Sequence, residues 1–191
     1  MSSITSEVTL PPTTVLFSGG IDSLGCVAHY RSMGRSPSLL FVDYGQPARR
    51  REWRAAETLS RAIALPLSRV AIEGLSISSG MIPGRNAMLL NIALMGLSVK
   101  DPSVVALGIH AGTSYRDCSQ EFIQRMQSVF DLYSNGAVQI DTPFVGWAKN
   151  QIWELLVSHS YPVQHTYSCE AGDQPCGFCL SCKDVESLRA R

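Results

Sequence analysis

Thr13-Thr14-Val15-Leu16-Phe17-Ser18-Gly19-Gly20-Ile21-Asp22-Ser23 is the stretch from which the rest of the chain is read. Thr13 to Phe17 is a short β-branched and apolar run, fit for a buried strand. It ends in Ser-Gly-Gly, and Asp22 to Met33 then reads as a helix. Two glycines let the backbone approach a ligand closely and adopt positive φ. The helix that follows aims free N–H groups and a positive dipole end at the same place. Ser18 and Ser23 add hydroxyls. This arrangement suits a phosphate or pyrophosphate. Asp22 would repel phosphate in direct contact, so it is read as a Mg²⁺ holder or a helix cap. A bare Ser-Gly-Gly reads equally as a capped glycine turn. The Gly-Lys-Ser/Thr ending of a Walker loop is absent.

Outward from this stretch the strand–turn–helix pattern repeats. Strands are expected at Ser38–Asp43, Leu67–Ile72, Ser103–Ile109 and Val138–Asp141. Helices are expected at Arg50–Ile63, Arg85–Val99, Cys118–Tyr133 and Ala148–Ser158. Strands without surface alternation, separated by helices, imply an α/β fold: a doubly wound, five-stranded parallel sheet covered on both faces. Ligands of such sheets bind beyond the carboxyl ends of the strands. The expected organisation is an extended or disordered segment 1–12, an α/β domain 13–160 and a C-terminal segment 161–191.

The 191 residues suit one domain, and 45% hydrophobic content is enough for a core. Sixteen basic and sixteen acidic residues give zero formal net charge, which argues against stable nucleic-acid binding. Arg49, Arg50, Arg51 and Arg54 leave room for a local basic patch. No segment is apolar and long enough for a signal-peptide core or a membrane span, so the chain is read as cytoplasmic.

Four of the six cysteines, Cys169, Cys176, Cys179 and Cys182, fall in the C-terminal segment, with six, two and two residues between them. Four thiolates make a complete tetrahedral set for structural Zn²⁺. An iron–sulfur cluster is the main rival. Cys26 and Cys118 read as small buried residues.

The full Ser-Gly-Gly-Ile-Asp-Ser string matches the SGGxDS loop of the ATP pyrophosphatases. With the terminal cysteines, it resembles the 7-cyano-7-deazaguanine synthase (QueC) family. Further motifs agree in order: Phe41-Val42-Asp43-Tyr44-Gly45-Gln46; Pro83-Gly84-Arg85-Asn86; Tyr115, Asp117, Cys118 and Phe122; Thr142-Pro143 with Lys149; and Ser168-Cys169. The resemblance runs from about Val15 to Cys182. It implies an adenine-nucleotide α-hydrolase-like fold and a carbon–nitrogen ligase that cleaves ATP to AMP and pyrophosphate. The implied substrates are 7-carboxy-7-deazaguanine and ammonia, with amide and then nitrile as products.

The implied cofactors are ATP, Mg²⁺ and structural Zn²⁺, and the implied assembly is a homodimer. The resemblance assigns ATP and Mg²⁺ to Phe17, Ser18, Gly19, Gly20, Ile21, Asp22 and Ser23, with Val42 and Asp43 beside the nucleotide. It assigns the deazaguanine acid to Tyr44, Gln46, Arg85, Asn86, Gly108, Tyr115 and Asp117. Asp117 would accept from a guanidine-like N–H pair. Asp22, Ser23, Arg85 and Lys149 would carry catalysis, Lys149 by stabilising charge on the leaving phosphate.

The chain departs from the family in several places. Gln46-Pro47-Ala48 stands where Gln-Arg-His is usual, and the acid downstream, Glu52, is one residue late. Ser119 and Val185 occupy positions where Arg is expected, and the stretch before Pro83 is short. These departures set an alternative beside the nitrile-forming reading: an enzyme that stops at the amide, or passes the acyl group to another amine such as a polypeptide N-terminus. Two other classes compete with the family reading. A tRNA-thiolating or tRNA-lysidine-type enzyme would need a basic surface. A zinc-binding interaction module would turn over no ATP.

Overall fold

The computed structural model describes residues 10–75, 77, 82–111 and 115–190. Of the N-terminal segment read as extended, residues 1–9 lie outside this range. Five strands form one parallel sheet in the order β3-β2-β1-β4-β5: β1 Thr13–Leu16, β2 Ser38–Asp43, β3 Leu67–Ala71, β4 Ser103–Ala106 and β5 Val138–Asp141. The helices are α1 Ile21–Ser32, α2 Arg49–Ala62, α3 Arg85–Met95, α4 Gln120–Ser134, α5 Lys149–Ser158 and α6 Leu180–Arg189.

Alternate residues of the central strands face opposite sides of the sheet, as a pleat requires. Val15 and Phe17 pack with Leu24 of α1, Leu59 of α2, Ile152 of α5 and Leu188 of α6. Leu16 packs with Leu90 of α3 and Phe130 of α4 on the other side. The sheet is therefore doubly wound, and the strand order reverses between β1 and β4. A crevice opens at such a reversal, beyond the carboxyl ends of the strands.

Element boundaries shift where local chemistry stops the regular structure. α3 ends at Met95 rather than Val99, because Gly96 caps it and donates to Ala93 O. Cys118 closes a 3-10 turn, Arg116–Cys118, and α4 begins after Ser119, whose hydroxyl accepts from Phe122 N at 3.2 Å. β4 stops at Ala106, and Leu107 N still donates to Asp141 O. β3 is not covered as expected, since only Leu67 is half-buried. It lies at the sheet edge, whereas α3 packs over β1 and β4. No helix among the described residues is long and apolar enough to cross a membrane.

Candidate active site

The first strand delivers its glycines against α2. Gly19 has φ +78°, and a Cβ there would stand 2.7 Å from Ala56 N, so only glycine fits. The Gly20 carbonyl accepts from Leu24 N and from the Ser23 hydroxyl, both at 3.0 Å. Ser18 is exposed, and its Oγ accepts from Gly20 N at 3.4 Å. α1 has no side-chain cap. Its first N–H groups have no intrahelical acceptors, which leaves them available to an anion at the crevice.

Asp22 lies in that first turn. Its Oδ2 is 3.3 Å from Lys149 Nζ and 4.0 Å from His110 Nε2. Lys149 opens α5 and also reaches Asp184 of α6 at 3.3 Å. Burial disfavours the Lys149 ammonium, but Asp22 and Asp184 outweigh burial and hold its pKa above the usual lysine value. Burial pushes the His110 imidazole below its ordinary value despite the Asp22 carboxylate. Gly108 passes directly over this turn: a Cβ there would meet Asp22 O at 2.7 Å.

A cavity of about 200 Å³ runs from this loop toward the end of β2. Phe17, Ser18, Gly20, Asp22, Ser23, Val42, Tyr44, Gln46, Arg85, Asn86, Gly108 and Lys149 of the sequence-derived set all line it. Gln46 is locked in place, since its Oε1 accepts from Tyr44 N at 3.0 Å and its Nε2 donates to Glu52 Oε2 at 2.8 Å. Burial raises the Glu52 carboxyl to about 7, although Gln46 and Arg85 pull it down. Burial likewise raises the Tyr44 phenol to about 12, against the pull of the adjacent Arg85.

Gly19, Ile21, Asp43, Tyr115 and Asp117 are not among the lining residues. Gly19 lies against Ala55 and Ala56 of α2, and Ile21 is buried in the main core. Asp43 is engaged by Arg69 at 2.5 Å and by Gly45 N at 3.1 Å. Asp117 acts through its backbone, its carbonyl accepting from Asn86 Nδ2 at 3.1 Å. Tyr115 is close enough to Glu170 for that carboxylate to raise its phenol pKa.

The far wall comes from the cysteine segment, and the motif reading had not placed its residues in the site. Tyr167, Ser168, Glu170 and Ser181 line the cavity, and the Ser181 hydroxyl donates to Glu170 Oε1 at 3.1 Å. Tyr167 N donates to Gly19 O at 3.0 Å, which joins this wall to the Ser18–Ser23 loop. The adjacency of Ser168 and Glu170 to Cys169 was the available signal.

The four thiols themselves converge. Their Sγ atoms all lie within 4.8 Å of one another, and Cys176 and Cys182 are 3.9 Å apart. Tetrahedral Zn–S bonds of about 2.3 Å place sulfurs about 3.8 Å apart, so the donor set fits zinc. Cys176, Cys179 and Cys182 each donate a backbone N–H to a preceding sulfur at 3.4 Å, which favours thiolates. The backbone N–H groups of Cys179 and Phe178 draw the Cys176 thiol down to about 6. Asp22 Oδ1 is buried without a hydrogen-bond partner among the described residues. An unmet carboxylate oxygen in the first turn of a helix at a crevice fits a divalent cation.

Known proteins resemble this chain in fold and in sequence. The backbone is similar to NMN synthetase from Francisella tularensis, with TM-score 0.52, 15% identity, and 94% of this chain and 77% of that one covered. It is also similar to a predicted subunit of tRNA methyltransferase from Methanocaldococcus jannaschii, with TM-score 0.51, 14% identity, and 83% and 93% covered. At such identities these likenesses show the fold alone. In sequence, the chain is 30% identical to 7-cyano-7-deazaguanine synthase of a Synechococcus species, covering 90% of each. It is also 30% identical to 7-cyano-7-deazaguanine synthase of Methanosphaerula palustris, covering 87% of this chain and 89% of that one. Residues 13–80 and 66–187 match the family described as queuosine biosynthesis protein QueC, and this chain belongs to that family.

Proposed function

We propose that this chain, by family an ATP-dependent carbon–nitrogen ligase, adenylates the carboxylate of 7-carboxy-7-deazaguanine, transfers the acyl group to ammonia to give the amide, and then activates and dehydrates the amide to the nitrile, 7-cyano-7-deazaguanine, with release of AMP and pyrophosphate. A carboxylate is a poor electrophile, and an acyl-adenylate gives it a good leaving group. The observation that carries this reading is one cavity with two chemically distinct ends. At one end, the first turn of α1, Asp22 and Lys149 suit a triphosphate. At the other, Arg85 suits the substrate carboxylate. Glu52 and Glu170 are the acceptors available within the cavity for the N–H pair of a guanine-like edge, a role that Asp117 would fill only from outside the lining.

Mg²⁺ would be held by Asp22 and would neutralise phosphate charge. The chain's own residues bind the triphosphate through the loop N–H groups and orient it with Lys149. The leaving pyrophosphate takes up negative charge beside that ammonium. Zn²⁺ would be held by Cys169, Cys176, Cys179 and Cys182 with no open position, ordering the wall that carries Glu170. A second copy of the chain is the proposed assembly partner, and the exposed Met95, Leu132 and Tyr133 offer it apolar surface.

A second reading ends at the amide, or at a conjugate with another amine such as a polypeptide N-terminus. It is favoured by the use made of the substituted positions. Ala48 is buried against Tyr167 and Cys169, Ser119 caps α4, and Val185 packs on the main core. None of the three carries the imidazole or guanidinium usual there. Weighing the product formed from the acid, ATP and ammonia separates the readings: nitrile supports the first and amide alone the second. Absence of AMP formation with this acid contradicts both.

A further inference from the structure

We infer that Asp184 is a positioning residue for Lys149, keeping its ammonium at the phosphate loop when Asp22 is occupied by the cation of the nucleotide. The inference rests on the reading of Lys149 as the cation that faces the triphosphate.

Lys149 Nζ lies between two carboxylates from opposite ends of the chain, 3.3 Å from Asp22 Oδ2 and 3.3 Å from Asp184 Oδ2. Its side chain is only 12% exposed. A buried ammonium must keep an anionic partner, because an unpaired buried charge is costly. Asp22 cannot be that partner throughout the reaction. It sits at the phosphate loop, and its Oδ1 is left without a hydrogen bond among the described residues. Once a divalent cation is bound there, its charge repels Lys149. Asp184 then supplies the second anchor, from α6.

The fold docks the helix that carries this anchor, whose own side chain is 43% exposed. Asp184 stands one turn before Leu188, which is 5% exposed in the main core, and Val185 packs against the same core. α6 contacts α5, the helix that Lys149 opens. The helix begins at the cysteine segment, where the Cys179 sulfur accepts from Cys182 N. Without Asp184, Asp22 is the nearest remaining carboxylate. Lys149 would collapse onto it and compete with the cation for the same oxygens.

The test compares Asp184→Asn and Asp184→Glu with the unaltered chain, all carrying equal zinc and melting within a few degrees of one another. Three quantities are read. Steady-state AMP release gives kcat and the Mg²⁺ concentration for half-maximal rate. Mass spectrometry after a brief exposure to an amine-acylating reagent, without ATP, gives the labelling rate of Lys149 relative to Lys100 and Lys183. Asp184→Asn should lower kcat about ten-fold, raise the Mg²⁺ requirement several-fold and change Lys149 labelling at least three-fold. Asp184→Glu should restore most of each. If Asp184→Asn leaves Lys149 labelling and Mg²⁺ dependence within two-fold of the unaltered chain, the inference is overturned. The same holds if Asp184→Glu is as impaired as Asp184→Asn. The labelling arm needs no turnover. If the unaltered chain releases no AMP with the deazaguanine acid, the proposed function fails, and labelling alone still decides the Asp184–Lys149 relation.

Discussion

Lys149 Nζ sits 3.3 Å from Asp22 Oδ2, because α1 and α5, far apart in sequence, pack against each other. This pair places a cation and a carboxylate at the mouth of the phosphate loop. Removing a preorganised charge that faces developing negative charge costs about 10²–10³ in rate. Lys149→Met should therefore lower acid-dependent AMP release by about that factor, with Lys149→Arg intermediate. Equal loss in KM and none in kcat would assign Lys149 to ground-state binding instead.

Gly19 carries the conformation of the loop. At φ +78°, with Ala56 N 2.7 Å from the place of a Cβ, Gly19→Ala combines backbone strain with a clash against α2. A cost of roughly 2–3 kcal/mol is expected, which lowers the melting temperature by about 5–10 °C in a chain of this size. Gly34→Ala is the control for strain alone, because nothing lies within 4 Å of its Cβ position. Thermal melts of the two variants should differ clearly, and equal shifts would contradict the close approach of α2.

Glu52 makes stability depend on pH. Its carboxyl is raised by burial from 4.5 to about 7. Below 4.5 the folded and unfolded chains both hold this proton, and no penalty applies. As pH rises through about 7, the folded chain must ionise a buried acid, so stability present at low pH is lost. Glu52→Gln should therefore gain stability over the unaltered chain between pH 5 and 8, by on the order of 2 kcal/mol. Urea melts at the two pH values check it, and a pH-independent difference would contradict the buried acid.

The cysteine segment should hold one Zn²⁺ per chain. Cys176→Ser should lose that metal, because a structural site depends on all four ligands. Tyr167 N is bonded to Gly19 O, so the loss should also loosen the wall beside the phosphate loop and reduce AMP release about 100-fold or more. Metal analysis beside the activity assay tests both parts. Iron with visible absorbance in place of zinc would restore the iron–sulfur alternative.

Much of this arrangement was legible in the sequence because it is local. Strands buried on both faces read as continuous apolar runs, and the Ser18–Ser23 loop joins its strand and helix directly. The cysteines announce their own convergence by spacing. What escaped the sequence was set by tertiary contact. Leu67–Ile72 reads as a buried strand, yet β3 is exposed, because edge position depends on strand order rather than composition. α6 was hidden within the cysteine spacing, and Asp184 reaches Lys149 only because α6 docks against α5. Asp117 and Glu170 show the same limit: Asp117 stands in a motif and Glu170 does not, yet only Glu170 lines the cavity.

The central claim is that the loop of Ser18, Gly19, Gly20, Asp22 and Ser23 cleaves ATP between its α and β phosphates to activate a deazaguanine carboxylate. The most direct test is ATP–pyrophosphate exchange with 7-carboxy-7-deazaguanine and no amine present. Exchange that requires the acid and disappears in Asp22→Ala is the predicted result. No acid-dependent exchange, or release of ADP and phosphate in place of AMP and pyrophosphate, would contradict it.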